Sequence, residues 1–347
     1  MGSVFQFGFH YVVAGYDVYL GEVLLAITAL LLFAYLSIRG VKFAGVFQTF
    51  FAFSLVSSVL IVASVALLKG SFNIHHLQPA FYPGVSGLSS ILAILAISSY
   101  AFVGFDTIPQ AAEEFKFSPT KSKKIMVFSI LLGGFIYILL NTITAAVIPC
   151  NYHDWVEYIN AAKQLSGLES LPTFHAAYQL MGGIGLFCFG VSAVAAALSG
   201  IVGFYMASSR LLFSMSREKV IPSWFGELHS KYKTPHNAIL FVMLFSLIAP
   251  FFGRVALSWI VDMSSVGAAI GYGFTSAAAF LYARRGHKYI MATGIIGSIM
   301  AFIFLVLLLV PIKLFNCSLG VESYSCLIVW IILGIAFYCK TQKYSSK

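Results

Sequence analysis

The sequence predicts an all-α protein that crosses a membrane many times. Of its 347 residues, 60% are hydrophobic and only 10% are charged, whereas soluble proteins carry roughly 25% charged residues. Nine apolar runs predict nine membrane spans, near residues 20–38, 46–68, 88–112, 125–149, 182–209, 238–252, 257–283, 289–312 and 324–339. We therefore expect a single transmembrane domain over residues 1–347, with its apolar surface facing lipid.

The loops between these spans alternate in basic residues, and this alternation predicts the orientation of the chain. Seventeen of the 21 lysines and arginines fall in one set of loops and four in the other. Cytoplasmic loops carry the excess of basic residues, so we expect the C-terminus in the cytoplasm. An odd number of spans then places the N-terminus of this chain outside. The net charge of +9 is explained by this distribution and does not indicate nucleic-acid binding.

The third apolar run is interrupted by Gly104, Asp106 and Pro109. An aspartate near the bilayer centre costs about 2.5–3.5 kcal/mol on insertion scales. Irregular backbone at that depth persists only where it lines a cavity or is buried in protein. A broken helix beside a buried charge is how secondary transporters build solute sites. The run therefore predicts a helix that unwinds around Gly104 and Asp106 to bind a small solute that carries an amine.

Each residue of the interruption has a physical role in this prediction. We expect Asp106 to cap the second half-helix by accepting a hydrogen bond from the Ile108 amide. Pro109 suits the first helical turn, and Gly104 lets the backbone approach a ligand. The carbonyl oxygens freed around residues 100–103 become acceptors for an ammonium group or an ion. The alternative is a structural kink, with Asp106 as a satisfied cap.

Aromatic and polar side chains add further candidates. The rings of Tyr100, Phe102 and Phe105 can cover a solute or attract a cation. Ser199, in the middle of the fifth span, can coordinate a cation or a substrate. Asp262, near the outer end of the seventh span, is a second intramembrane acid, and the alternative is an acid at the membrane interface.

Glu113 and Glu114 follow the third span on the predicted cytoplasmic side, near several lysines of the same loop. They form either a solvated ion-pair network or a cytoplasmic gate contact. No phosphate-binding loop, metalloprotease helix or nucleophile elbow occurs in the sequence. We therefore expect no enzyme activity, no metal site and no cofactor.

Several segments resemble the amino acid–polyamine–organocation family of permeases. Residues 102–116, FVGFDTIPQAAEEFK, resemble the sixth membrane helix of that family. Residues 209–235 look like the signature after its eighth helix, and residues 261–267, VDMSSVG, are similar to the start of its tenth. Residues 39–42 with Gln48 match the turn between its fourth and fifth helices. These blocks, in this order and spacing, extend over nearly the whole chain.

The resemblance implies a leucine-transporter-like fold, in which two inverted repeats of five helices hold substrate between broken first and sixth helices. It implies a permease that moves amino acids across the cell membrane by alternating access. It places Tyr100 where an aromatic ring stacks on substrate, the backbone of residues 101–104 where the amino group is received, and Asp106 where an acid helps to gate the site. The expected substrate-binding residues are Tyr100, Ala101, Phe102, Val103, Gly104, Asp106, Thr107 and Ser199. The expected gating or structural residues are Phe105, Pro109, Glu113, Glu114 and Asp262.

The chain departs from the family pattern in its number of spans. The nine spans match family helices four to twelve, so the fold is expected to be truncated at the N-terminus, or else a partner chain carries the first three helices. The glycine-rich break of the first helix, which binds the substrate carboxylate in the family, is not found. We therefore expect this chain to hold half of a site and neither to bind nor to transport tightly by itself.

A second departure concerns the coupling ion. Some proton-coupled members carry a lysine in the fifth helix that replaces a sodium ion, and the matching residues 51–62 contain no lysine. The coupling ion, sodium or proton, therefore stays open, as does exchange. Two other functions also stay open: a non-transporting membrane subunit or remnant, and a carrier of polyamines or other organic cations. The expected partners are an amino acid, the lipid bilayer and the first three helices as a separate chain.

Overall fold

Long apolar helices make up almost all of the structure. The computed structural model describes residues 5–69, 72–110, 118, 120–162, 164–165, 167–283, 286–311 and 318–345. A short antiparallel hairpin, β1 (His10–Val13) and β2 (Tyr16–Tyr19), precedes the first helix. The helices are α1 (Leu20–Arg39), α2 (Val41–Leu68), α3 (Gly87–Ala101), α4 (Thr107–Gln110), α5 (Thr120–Ala146), α6 (Trp155–Ala162), α7 (Pro172–Met181), α8 (Gly183–Arg217), α9 (His236–Ser246), α10 (Gly253–Ala283), α11 (Lys288–Leu309) and α12 (Val321–Ser345). Short 3-10 helices lie at Ile74–Leu77, Ser223–Gly226 and Ala249–Phe252. The predicted all-α, polytopic fold class is confirmed.

Seven helical segments of the described chain are long and apolar enough to cross a membrane, where the sequence predicts nine spans. One of the seven, His236–Ala283, has 48 residues, which as one helix would be about 70 Å long, more than twice the hydrocarbon thickness of about 30 Å. Within it, α9 ends at Ser246 and Gly253 adopts a left-handed backbone with φ of +59°. The third predicted span is likewise divided, into α3 and α4. These two divisions account for the difference between seven segments and nine predicted spans, and the count of nine stays a prediction.

The longest helix, α8, organises the packing around the predicted site. Its 35 residues contact α1, α2, α4, α7 and α9. Buried side chains of α1, α8 and α9 form one apolar cluster that includes Phe33, Val202 and Ile239. In the same cluster, the Tyr205 hydroxyl donates a hydrogen bond to the Leu30 carbonyl oxygen at 3.2 Å. Since α4 packs on this same helix, α8 fixes one side of the interruption between α3 and α4.

Helices α10 and α11 approach each other closely at Gly294. A methyl group at this position would lie 2.7 Å from the Phe280 amide nitrogen and 2.8 Å from the Ser276 carbonyl oxygen. Residues 267–271 of α10 form a small-xxx-small segment that would also permit a close approach. Its two glycines do not make one, because a methyl group placed at Gly267 or Gly271 meets no atom of the described residues within 4 Å beyond its own stretch of helix. Small residues in the sequence show where two helices can approach closely, but not which of these positions contacts a neighbouring helix.

The substitution Gly294→Ala should therefore destabilise the helix pair by about 1–3 kcal/mol, the usual effect of overpacking. The added methyl group meets backbone atoms, which cannot rotate away. The measurement is the midpoint of thermal unfolding in detergent, with Gly267→Ala as the matched control at an open position. Equal midpoints for the two variants would show that α10 and α11 can move apart at Gly294 without loss of stability.

Candidate functional site

The helix is interrupted at the position that the sequence predicts. α3 ends at Ala101 and α4 begins at Thr107, and residues 102–106 between them form turns and no helix. Gly104 lies in this turn with φ of +132°, a conformation that L side chains rarely adopt. On either side, α3 packs against α10 and α11, while α4 packs against α5 and α8. The predicted unwinding around Gly104 and Asp106 is thus confirmed, and it lies among four other helices.

Asp106 stabilises the turn, but not in the way that the capping rule predicts. Its Oδ1 accepts a hydrogen bond from the Gly104 amide at 2.8 Å. The Ile108 amide donates instead to the Phe105 carbonyl oxygen at 3.3 Å, so the predicted bond from Ile108 to Asp106 is wrong. The physical reason is that the chain turns back at Gly104, which brings the backbone amide of Gly104 to the Asp106 carboxylate. Asp106 therefore stabilises the turn by binding a residue that precedes it in the chain.

Two of the four carbonyl oxygens expected to receive a substrate amine are already occupied. The Ala101 oxygen accepts from the Tyr137 hydroxyl at 2.8 Å. The Gly104 oxygen accepts from the Thr107 hydroxyl at 2.6 Å and from the Thr107 amide at 3.2 Å. The carbonyl oxygens of Phe102 and Val103 accept no hydrogen bond from the described residues. Of these four oxygens, those of Phe102 and Val103 therefore stay available to a ligand. Thr107, which the sequence predicts to bind substrate, donates its hydrogen bonds within the turn.

Aromatic contacts join the interruption to its neighbouring helices. The Phe102 ring meets the edge of Tyr137 in α5 at a centroid distance of 5.7 Å. The Phe105 ring lies 5.6 Å from that of Tyr272 in α10. The Tyr272 hydroxyl is buried without a hydrogen-bond partner among the described residues, and Asp106 is close enough to act on it electrostatically. Sequence reasoning missed both tyrosines, because they reach the turn from other helices and no local pattern marks them.

The other predicted residues divide between the site and positions away from it. Pro109 lies in the first turn of α4, as predicted, and Ser199 lies half-buried in α8, which α4 contacts. Asp262 lies elsewhere: its Oδ2 accepts a hydrogen bond from the buried Ser323 hydroxyl at 2.7 Å, which links α10 to α12. Asp262 is ten residues, about 15 Å along the helix, from Tyr272. It is therefore not brought to the interruption.

Some predicted residues lie outside what the structure describes. They are Glu113, Glu114 and the side chain of Tyr100. Within the described ranges, no group of three or more histidine, cysteine, aspartate or glutamate side chains is placed to hold a metal ion.

Tyr137→Phe should lower the free energy of unfolding by about 1–3 kcal/mol, because it leaves the Ala101 carbonyl oxygen unpaired in a low-dielectric region. The ring contact with Phe102 is retained in this variant, so any effect reports the hydroxyl. Tyr289→Phe, at a 91% exposed position, is the matched control. Thermal unfolding of both variants tests the bond, and an unchanged midpoint for Tyr137→Phe would mean that the Ala101 oxygen finds another donor.

Comparison with known proteins matches most of this chain to transporters. A family model described as amino acid permease matches residues 3–337. The branched-chain amino acid permease BcaP of Bacillus subtilis (strain 168) is 25% identical over 336 residues, covering 94% of this chain and 64% of the relative. The methylthioribose transporter of the same organism is 26% identical over 330 residues, covering 92% and 64%. The cationic amino acid transporter 3, mitochondrial, of Arabidopsis thaliana is 24% identical over 244 residues, covering 68% and 37%.

The chain is similar to only part of each of these relatives. It spans less than two thirds of the length of the curated relatives described above. Their names also differ in the solute transported. Similarity therefore shows a transporter family, and the solute has to be argued from the site.

Proposed function

Because this chain belongs to the amino acid permease family, we propose that it moves amino acids across the cell membrane by alternating access, with the turn at residues 102–106 binding the amino group. The observation that carries this proposal is that the carbonyl oxygens of Phe102 and Val103, four and three residues before Asp106, accept no hydrogen bond from the described residues. All three groups are acceptors, and together they favour a positively charged donor.

An α-ammonium group matches these acceptors in number and in charge. It carries three N–H donors and no acceptor. An ammonium ion leaves water only where it is hydrogen-bonded and paired with charge, and the turn offers both a carboxylate and carbonyl dipoles. Gly104 has no side chain, and a methyl group placed there would meet no atom of the described residues within 4 Å apart from its chain neighbours. The backbone is thus accessible to a small ligand at this point.

The contact between Phe105 and Tyr272 supports a gate beside this site. In alternating access, one group of helices rocks against another around a fixed site. Phe105 belongs to the interruption and Tyr272 to α10, so a movement of α10 relative to the turn would separate the two rings. The Tyr272 hydroxyl, which has no hydrogen-bond partner among the described residues, gives this contact a polar component. The charge of Asp106 acts on this hydroxyl, so ligand binding at Asp106 would bias the contact.

The chemistry of the turn favours amino acids among the solutes in the relatives' names. Branched-chain and cationic amino acids both carry an α-ammonium group, whereas methylthioribose has none. A polyamine also has ammonium groups but lacks a carboxylate. Asp106 and the aromatic rings permit a polyamine, so this alternative is separated from the amino acid proposal by experiment.

The test is ligand binding to the purified chain in lipid nanodiscs, measured as ligand-induced thermal stabilisation at millimolar concentration. Weak binding is sufficient in this assay, which matters because the sequence predicts that this chain holds only half of the site. Leucine or lysine should stabilise the chain, and 4-methyl-2-oxopentanoate, the deaminated form of leucine, should not. Stabilisation by putrescine alone would favour a polyamine carrier. No stabilisation by any of these ligands would favour a non-transporting subunit.

The orientation is also a proposal: C-terminus in the cytoplasm and N-terminus outside. Among the described residues, Cys150 and Cys339 are free and exposed, and they lie in segments predicted on opposite sides of the membrane. In variants that retain one of these cysteines, a membrane-impermeant maleimide added to intact cells should label Cys150. Cys339 should be labelled only after permeabilisation, and the reverse pattern would invert the proposed topology.

A further inference from the structure

The segment between α8 and α9, residues 218–235, is fixed in shape by its own hydrogen bonds. The Ser216 hydroxyl donates to the Pro222 carbonyl oxygen at 2.9 Å, and the Asn237 amide donates to the Trp224 carbonyl oxygen at 3.0 Å. The Thr234 hydroxyl donates to the Ile38 carbonyl oxygen at 2.7 Å, which ties the segment to α1. Phe225, 2% exposed, anchors the middle of the segment in an apolar cluster. The backbone that carries the exposed side chains of this segment is therefore held in place.

The imidazole of His229 fixes the second half of the segment. Its Nδ1 accepts from the backbone amides of Lys231 and Tyr232, at 3.1 Å and 3.3 Å. The Lys233 amide donates to the His229 carbonyl oxygen at 2.9 Å. A compact turn results, with the side chains of Lys231 and Lys233 exposed.

Two lysines of this segment occupy strained backbone positions. Lys219 and Lys233 have φ of +58° and +56°, a left-handed region where non-glycine residues are uncommon and asparagine is favoured over lysine. The described residues contain one other non-glycine residue with positive φ, Ala14. Glycine or asparagine would fit both turns with less strain, so the lysines are not explained by the fold.

The same segment exposes large apolar side chains. Val220 is 39% exposed and Trp224 and Leu228 are each 45% exposed, although the segment lies outside the long apolar helices. Of the two acids in the segment, Glu227 is engaged by the Asn237 amide at 3.0 Å. Exposed aromatic and aliphatic groups beside exposed lysines suit the boundary between acyl chains and headgroups. A soluble acidic partner would leave the apolar groups unexplained.

We propose that Lys219, Lys231, Lys233, Trp224 and the apolar side chains beside them form a binding surface for anionic phospholipid headgroups. Charge complementarity carries the assignment, because juxtamembrane basic residues attract anionic lipids by an amount that corresponds to about fivefold in affinity for each lysine. Trp224 and Leu228 insert beside the acyl chains while the lysines contact the phosphate.

The experiment measures quenching of Trp224 fluorescence by brominated lipids around the full chain in nanodiscs. The Trp224→Phe variant identifies which part of the emission belongs to this residue. Brominated phosphatidylglycerol should quench Trp224 at a lower mole fraction than brominated phosphatidylcholine. The double variant Lys219→Asn/Lys233→Asn keeps residues suited to left-handed turns, so it should stay folded and should reduce the preference for phosphatidylglycerol by about 25-fold.

Two controls distinguish lipid binding at this surface from a non-specific attraction between positive charge and anions. Lys340→Asn removes a charge from the same predicted side, near the end of α12, and should leave the preference unchanged. Inorganic phosphate at the same concentration as the lipid phosphate should not relieve quenching. The proposal is overturned if both lipids quench equally, if the double variant behaves like Lys340→Asn, or if inorganic phosphate displaces the lipid, which would indicate a free-anion site.

Discussion

The substitution Asp106→Asn should leave the chain folded and weaken amino acid binding about 10- to 100-fold. The asparagine side-chain oxygen can still accept from the Gly104 amide, which Asp106 now binds at 2.8 Å, so the turn is retained. The negative charge that we propose pairs with the ammonium group is lost. A hydrogen bond to a charged group contributes about 1.5–3 kcal/mol, and each 1.4 kcal/mol is tenfold in affinity.

The matched control is Asp262→Asn, which alters the other intramembrane acid. Its oxygen can keep the bond from the Ser323 hydroxyl, and it lies away from the interruption, so amino acid binding should be unchanged. Thermal stabilisation by leucine in nanodiscs measures both variants. Parental affinity in a well-folded Asp106→Asn variant would reduce Asp106 to a structural cap.

Gly104→Ala should abolish measurable binding and destabilise the chain. At φ of +132° an alanine is strained, by about 1–3 kcal/mol, and the turn relieves this strain only by changing its shape. Apart from its chain neighbours, the added methyl group meets no atom of the described residues within 4 Å, so the strain comes from the local backbone conformation and not from contact with another helix. The open carbonyl oxygens of Phe102 and Val103 would then point in new directions.

Gly133→Ala in α5 isolates this effect. A methyl group at Gly133 also meets no atom of the described residues within 4 Å beyond its own stretch of helix, but its backbone is helical and not left-handed. It should bind as the parent does and unfold at the same or a slightly higher temperature. If Gly104→Ala binds amino acids as well as Gly133→Ala does, the shape of the turn is not what recognises the ligand.

The position of the interruption could be predicted because its causes are local. A glycine, a carboxylate and a proline within six residues of an apolar run disfavour a continuous membrane helix, whatever surrounds them. The same holds for α1, whose predicted span of 20–38 agrees with Leu20–Arg39. In both cases, the residues that determine where a helix begins or ends lie close together in the sequence.

The hydrogen bonds of the site could not be predicted, because they depend on how the chain returns on itself and on which helices pack there. Capping rules assume an extended residue before a helix, whereas Gly104 turns the chain back toward Asp106. Tyr137 and Tyr272 reach the turn from α5 and α10. The contact at Gly294 is likewise a property of two helices. Such features follow from tertiary packing, which apolar periodicity does not encode.

Binding of the amino group by the turn can be measured as a distance between a bound amino acid and the turn, by solid-state NMR in lipid bilayers. Leucine labelled with ¹⁵N and a chain labelled with ¹³C at the carbonyl carbons of phenylalanine and valine report this distance through dipolar coupling. We expect a coupling that corresponds to about 4 Å, which is lost in Phe102→Leu/Val103→Leu, a variant that keeps the backbone acceptors but removes both labels. Saturable leucine binding without this coupling would show that the turn does not bind the amino group.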